Sequence, residues 1–368
     1  MTTLPHDVTG FEVLQPGTYD GGTYLDSSPD NVFWGRLPCQ DDTPRAVVES
    51  GAVVTVDTLS HEGILEDQGK DPVEFFGRYG VRAGDVLEDA KAVAASALAH
   101  DFADDGPHVV TGPIAVRGAK PGDLLAITVL ELTPRVGYGM VSARHGFGAL
   151  PGEMPVPGVT EPVTTFATAV PGAGAGTGEM LVDRDDPSRG RITFPLSPFL
   201  GVMGVATAGP ERLHSVPPGP FGGNIDVNLL GVGSTLYLPV QVDDALAYFG
   251  DPHFAQGDGE VALTAFEASL RATVRLDLIP GGAAGVPAPY AETGDLLVPI
   301  GLDEDLDEAM RDCVRCALDL LAGRYGLERH LAMAYLSAAG DFAVSQVVDV
   351  VKGVHGKIRK ADLREVRR

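Results

Sequence analysis

The sequence predicts a mainly β chain of α+β type with peripheral helices toward the C-terminus, and three observations carry that prediction. Glycine (47) and proline (28) together exceed average usage without a repeating period, which favours many short strands joined by turns. Several segments alternate apolar and β-branched residues at the two-residue period of a strand. Three of the four helical patterns lie after Gly301.

Taken in order, a turn-rich lead-in from Phe11 to about Gly51 holds the single tryptophan and runs into AVVTVDTL (Ala52 to Leu59), the first clear strand. DVLEDAKAVAASALAH (Asp85 to His100) reads as a helix, with Val86, Ala90, Val93, Ala94 and Ala97 on one face. VVTGPIAVRGAKPGDLLAITVLELTP is a strand, a turn at RGAKPGD and a second strand. EPVTTFATAV and RITFPLSPFLGVMGVATAG continue the β pattern, and the small apolar residues from Gly201 to Ala206 imply close backbone packing. TLYLPVQV is a further strand. EVALTAFEASLRATVRLDLIP reads as long alternation, with Val261, Leu263 and Ala265 facing one way and Leu270 to Leu278 following.

Beyond Gly301, DEDLDEAMRDCVRCALDLLAGRYG opens with acids suited to a helix N-terminus and repeats Met310, Cys313, Val314, Ala317, Leu320 and Leu321 on one stripe. LERHLAMAYLSAAG forms a second helix ending at Gly340, VSQVVDVVKGVHG a third, and the basic tail KIRKADLREVRR frays. A length of 368 residues suits two domains, an N-terminal β-rich one over 1–200 and a second over 201–368 that carries the C-terminal helices.

A formal charge of -24 repels phosphate backbones and anionic lipid, so nucleic-acid and membrane partners are not expected and a neutral or cationic ligand fits better. Most of that charge reads as a solvated acidic surface. Cys39, Cys313 and Cys316 leave an odd thiol and no disulfide framework, which points to the cytoplasm. MTTLPHDVTGFEVLQPG at the N-terminus has neither the basic nor the apolar region of a secretory leader, and nowhere do eighteen apolar residues run together, so secretion and membrane spanning are not expected. Cys313 and Cys316 sit on the apolar stripe of their helix, so core packing explains them better than zinc or redox chemistry. GAKPGD lacks the GKS or GKT ending of a phosphate loop, and no GxSxG elbow marks a serine hydrolase.

Groups that carry chemistry concentrate between His214 and Glu260. In GGNIDV, Asn224 and Asp226 alternate, so an extended chain projects both to one face, and Gly222 and Gly223 let the backbone turn close to a ligand. GDPHFAQGDGE adds Asp251, His253, Asp258 and Glu260 on what reads as a loop, since Pro252 and the glycines forbid a long helix. An imidazole with carboxylates suits a divalent metal such as Zn²⁺, whereas an all-oxygen set suits Ca²⁺ or Mg²⁺. The plain alternative is a set of polar loop residues satisfying turns. DTLSHEGILED offers Asp57, His61 and Glu62 where the first strand ends; they complete such a metal site, or His61 is an exposed loop histidine. His145, in ARHGFGALPG, sits in another glycine-rich loop of the kind found at pocket mouths.

GPIAVRGAKPGDLLAITVLEL, FPLSPFLGVMGVA, PPGPFGGNIDV, GSTLYLPVQVDDALAYFGDPHFAQGDGEV, LDEAMR and AYLSAAGDFAVSQVVD occur in an order that resembles the acetamidase/formamidase family, over roughly Val109 to Val350. The resemblance implies barrel-like and sandwich-like β parts with peripheral helices, a homo-oligomer, and hydrolysis of a small neutral amide of the formamide or acetamide type to acid and ammonia. It also implies a metal-centred site at Asn224, Asp226, Asp251, His253 and Glu260. The resulting expectation gives Glu260 and His253 catalytic roles, Asn224 and His145 substrate contacts, and Asp226, Asp251, His253, His61 and Asp57 a metal, zinc first and calcium second. A hydrolase of a bulkier amide or lactam on the same scaffold, or a non-catalytic metal- or small-molecule-binding protein, stands as the alternative. Two segments depart from the family pattern: DTLSHEGILEDQGKDPVEFFGRYG is longer, and HGFGALPGEMP has no match. Both are expected to reshape the pocket.

Overall fold

The computed structural model describes residues 12–367 apart from 18, 20, 157, 159, 160, 287 and 288, so the start of the lead-in at Phe11 lies outside the described residues. Two open sheets make up the fold. The first is nine-stranded, in the order β1 (Thr23–Leu25), β4 (Ala52–Asp57), β16 (Leu270–Ile279), β6 (Leu124–Pro134), β13 (Thr235–Pro239), β17 (Tyr290–Glu292), β18 (Leu296–Asp303), β20 (Lys352–Arg359) and β19 (Asp341–Gln346). The second has eleven strands; its main path is β10 (Arg191–Pro195), β9 (Thr177–Leu181), β8 (Val163–Val170), β7 (Tyr138–Ala143), β15 (Phe266–Glu267), β14 (Ala247–Ala255), β11 (Phe199–Val205) and β12 (Gly222–Asn224). A branch joins through β5 (Val109–Val116), which pairs with β14, β2 (Val32–Trp34) and β3 (Ala46–Val48).

The alternation of apolar side chains dictates how these sheets meet. Val54, Val56, Leu125, Ile127, Val274 and Leu276 of the first share one core with Val110, Ile114, Val202, Met203 and Phe249 of the second, as two half-buried sheets require. The mainly β expectation and the sandwich-like packing therefore hold, but among the described residues neither sheet closes into a barrel. Strands from both sides of residue 200 interleave in each sheet, as in β4, β16, β6 and β13, so the sheets do not follow the division into 1–200 and 201–368.

Helices flank the sheets. Helix α1 (Pro72–Gly77) and helix α2 (Glu88–Ala94) cover a smaller core with Trp34, Leu59, Ile64, Phe76 and Val93. The second of these is shorter than its sequence pattern: the Ser96 hydroxyl donates to the Val93 carbonyl where the helix ends, leaving Ala97 beyond it. Helix α3 (Leu306–Tyr325) is capped by Asp305, whose carboxylate accepts from the Asp307 and Glu308 amides, and it buries Cys313 and Cys316 against the first sheet. Helix α4 (Arg329–Ala339) follows.

The third helix expected over VSQVVDVVKGVHG is absent: β19 ends there, a turn follows, and β20 begins. Its valines favour strands, and the Gln346 side chain accepts from the Val348 and Asp349 amides to form the turn locally. Nor does the basic tail fray, since Ile358 is a buried residue of β20 and Leu363 packs beyond it. The alternation over Val261 to Ala265 is not a strand either, because Glu260 and Leu263 take positive φ and break the extended run. No helix among the described residues is long and apolar enough to cross a membrane.

Candidate active site

Strand β14 carries Asp251 and His253, two residues apart and so on one face; the sequence expectation of a loop here is corrected to a strand. Its neighbour β15 places Glu267 directly opposite His253 in the ladder, and Glu267 Oε1 lies 3.0 Å from His253 Nε2. On the other side, β11 runs antiparallel to β14 and offers no side chain at Gly201. A Cβ there would stand 2.4 Å from both Asp226 Oδ1 and Asp251 Oδ2 and 2.8 Å from His253 Cε1. Glycine at this position is what lets the three side chains converge. Strand β12, paired to β11, delivers Asn224, and Asp226 follows it two residues on.

Three further segments close the cluster. His61, in the loop after β4, brings Nδ1 to 3.7 Å from Asp251 Oδ1, and His108, just before β5, brings Nε2 to 3.8 Å from Asp251 Oδ2. Glu260 enters from the turn after β14, and Asp349, from the turn between β19 and β20, accepts from Asn224 Nδ2 at 2.9 Å. His253 Nδ1 meets Gln256 Oε1 at 3.1 Å, and Gln256 Nε2 donates to the Asp226 and Ser345 carbonyls. That bridge sets the imidazole plane and turns Nε2 toward Asp251 and Glu267. Asp226, Asp251 and Glu260 all sit at positive φ, between 45° and 51°, which for non-glycine residues costs ~1–2 kcal/mol each.

The electrostatics are out of balance. Glu62, Asp226, Asp251, Glu260, Glu267 and Asp349 are buried beside three imidazoles, His61, His108 and His253, with Glu62 Oε1 3.4 Å from His61 Nε2, so the carboxylates outnumber the imidazoles two to one. Burial, reinforced by the charges of Asp251 and Glu267 against the pull of His253, pushes Asp226 up to about 7. Burial and then the Asp226 charge drive Glu260 and Asp349 well above the carboxylate range. Burial works the other way on His108, lowering it to about 4. For Asp251 burial is outweighed by the imidazoles of His253 and His108, which hold it low.

This donor set fits a divalent cation. His61 Nδ1, Asp226 Oδ1, Asp251 Oδ1, Glu260 Oε2 and Glu267 Oε2 are buried without a hydrogen-bond partner, a condition that is costly unless another group completes them. Three overlapping triads, His61 with His108 and Asp251, Asp251 with His253 and Glu267, and Asp226 with His253 and Glu260, each bring their ligand atoms within 4.8 Å of one another.

Of the residues singled out in the sequence, His61, Asn224, Asp226, Asp251 and Glu260 line one cavity of about 570 Å³, and His253 lies behind its wall, with Nε2 3.0 Å from the lining residues Asp251 and Glu267. His61 is buried and not an exposed loop residue. Asp57 is elsewhere: it binds Arg271 through both oxygens, at 2.6 and 2.9 Å, and does not face the cavity. His145 stands at the rim, its Nε2 2.6 Å from the Val156 carbonyl oxygen. Asp258 points outward to Lys357. Sequence reasoning missed His108, Glu267 and Asp349. The last two carried a signal, an acid inside an apolar run, in TAFEAS and VVDVV.

Residues 197–355 match the model of the Acetamidase/Formamidase family. The chain is 28% identical over 300 residues to the formamidase of Methylophilus methylotrophus, covering 66% of this chain and 74% of that protein. It is 30% identical over 226 residues to the acetamidase of Mycolicibacterium smegmatis, covering 48% of this chain and 54% of that protein. The solved structure of an acetamidase from Bacillus Halodurans superposes with a TM-score of 0.72 at 26% identity, over 93% of this chain and 99% of that one. Over residues 197–355 in sequence, and over most of its length in fold, the chain resembles the acetamidase/formamidase family.

Proposed function

We propose that the protein is a metal-dependent amidase that hydrolyses a primary carboxamide, with formamide and acetamide as its minimal substrates, to a carboxylate and ammonia. The observation that carries this reading is the buried surplus of carboxylates, with unpartnered atoms aimed into one cavity. The names of the related formamidase and acetamidase support the reaction class. In the reaction a C–O bond forms from water to the carbonyl carbon, the C–N bond breaks, and a proton passes to the departing nitrogen.

Asp251, His253, Glu267, His61 and His108 would hold a cation at the imidazole-rich end, a set that suits zinc; Asp226, Glu260 and Asp349 make an oxygen-rich end that suits calcium. When bound, such an ion supplies Lewis-acid polarisation and an acidified water. Glu260, buried with Oε2 unpartnered on the cavity floor, takes a proton from water and returns one to the leaving nitrogen. Asn224, anchored through Nδ2 on Asp349, presents an unpartnered Oδ1 to the amide N–H. Gln256 keeps His253 in a single orientation. The three unpaired, buried thiols suit a reducing cytoplasm, and we place the protein there as a homo-oligomer.

Ammonia release from formamide, acetamide and propionamide tests the reading, measured before chelation, after it, and after zinc or calcium is restored. Loss and recovery of turnover is the expected result. Unchanged turnover after verified metal removal overturns the metal role, and no ammonia from metal-loaded protein overturns the amidase.

A further inference from the structure

Resting on the amidase reading, we propose that the preferred substrate is a primary amide whose acyl arm is an uncharged apolar group of aryl size, held between Phe102 and Phe147 at the mouth of the cavity. Volume is the first argument. Acetamide displaces about the volume of two or three waters, ~60–90 Å³ at ~30 Å³ each, whereas the cavity measures about 570 Å³. That is the range of sites that enclose much larger organic ligands, at roughly 300–1,000 Å³.

The lining is the second argument. The ionisable cluster occupies the floor, while Leu65, Phe102, Phe147, Val216 and Val350 line the same cavity outside it. Phe102 is 44% exposed and Phe147 60%, and large apolar side chains left open beside a cavity mark a surface that an apolar ligand covers. The charges near the mouth are already matched: Arg144 donates from Nε and Nη2 to the two oxygens of Asp67, and Arg36 binds Asp105 at 2.5 Å. Neither guanidinium is left to receive a carboxylate on the arm, and the acidic floor repels one.

Local sequence is the third. Leu65 and Asp67 belong to DTLSHEGILEDQGKDPVEFFGRYG, and His145 and Phe147 to HGFGALPGEMP, the two segments that the sequence reading expects to reshape the pocket. Because ammonia is the leaving group in the proposed reaction, bulk can only be on the acyl side.

Metal-loaded enzyme should be assayed for kcat/KM on acetamide, hexanamide, phenylacetamide and adipamate, the last a chain of the same length as hexanamide ending in a carboxylate. We expect phenylacetamide and hexanamide to exceed acetamide by at least ~100-fold, since each buried methylene is worth ~10-fold or more, and adipamate to fall well below hexanamide. Phe102→Ala and Phe147→Ala, both exposed positions outside the catalytic cluster, should each lower phenylacetamide turnover by about tenfold and change acetamide by less than about twofold. Acetamide matching or exceeding every longer amide overturns this inference and leaves the amidase standing. Failure to hydrolyse any amide overturns the amidase itself. Equal effects of the phenylalanine variants on acetamide and phenylacetamide overturn the assignment of the wall.

Discussion

Two buried charge clusters begin four residues apart at the end of β4, one at Asp57 and one at His61, and they differ in how their charges are met. Around Asp57, two carboxylates, Asp57 and Asp89, face two guanidiniums: Arg271 on Asp57 at 2.6 Å and Arg135 on Asp89 at 2.8 Å. Tyr24 and Ser27 hydroxyls donate to Asp57 Oδ2 and Asp89 Oδ2, the oxygens that the guanidiniums also bind, and Arg135 Nη2 and Asp89 Oδ1 lack a hydrogen bond. Around His61, six carboxylates face three imidazoles, and five of those carboxylates keep an oxygen without a hydrogen-bond partner. The first cluster is balanced in charge within the chain and serves the fold; the second is not, and a group from outside must finish it. Buried acidity alone does not mark a site; unmatched buried acidity does.

Substitutions that exchange these behaviours test the contrast. The largest effect belongs to Glu260→Gln, which keeps shape and removes the proton acceptor: turnover should fall ~10²–10⁴-fold while thermal stability is retained. Near-normal turnover would take Glu260 out of the proton transfer. Asp57→Asn leaves Arg271 without its bidentate partner and should cost about 3–5 kcal/mol in denaturant unfolding, with metal content per folded molecule unchanged. Lost metal at unchanged stability would move Asp57 into the cation site after all.

A smaller effect is expected at Gln256→Ala, which frees the His253 ring without touching a ligand: chelator competition should show ~10–100-fold weaker metal binding, and unaltered affinity would make the bridge incidental. The mildest test concerns His355, which is buried, accepts or donates one bond with Ser345 Oγ, and has an unpartnered Nε2, yet lies outside the cavity. Burial lowers it from 6.5 to about 4. A histidine depressed in the folded state contributes fully above its unfolded pKa, and that contribution is lost as the pH falls toward the folded value. Between pH 7 and pH 5 the native protein should therefore lose about 2 kcal/mol more than His355→Gln does. Parallel acid-denaturation curves for the two proteins would show that an isolated orphan nitrogen carries no such penalty.

Much of the fold was legible because its elements are local. Val109 to Val116 and Leu124 to Pro134 advertise strands by β-branching and the RGAKPGD turn between them, and Asp305 announces the start of α3. VSQVVDVVKGVHG misled because short apolar runs fit a helix or a strand equally until the partner strand is known; β18 and β19 supply it. The site was legible in part for the same reason. Asp251 and His253 announce themselves as polar groups framed by glycines, whereas Glu267 and Asp349 lie inside apolar runs where period alone reads them as exceptions.

By itself, then, the chain's residue order determined the strand-rich class, the capped C-terminal helices and the stretch from His214 to Glu260 where chemistry would be found, because propensity, turn chemistry and side-chain period act over a few residues. Only the tertiary structure decided that Asp57 joins Arg271 while His61, four residues later, joins Asp251, and that Gly201 opens the space in which three ligands meet. Those choices depend on ladder register between strands distant in the chain, and a one-residue slip would send every one of these side chains to the opposite face.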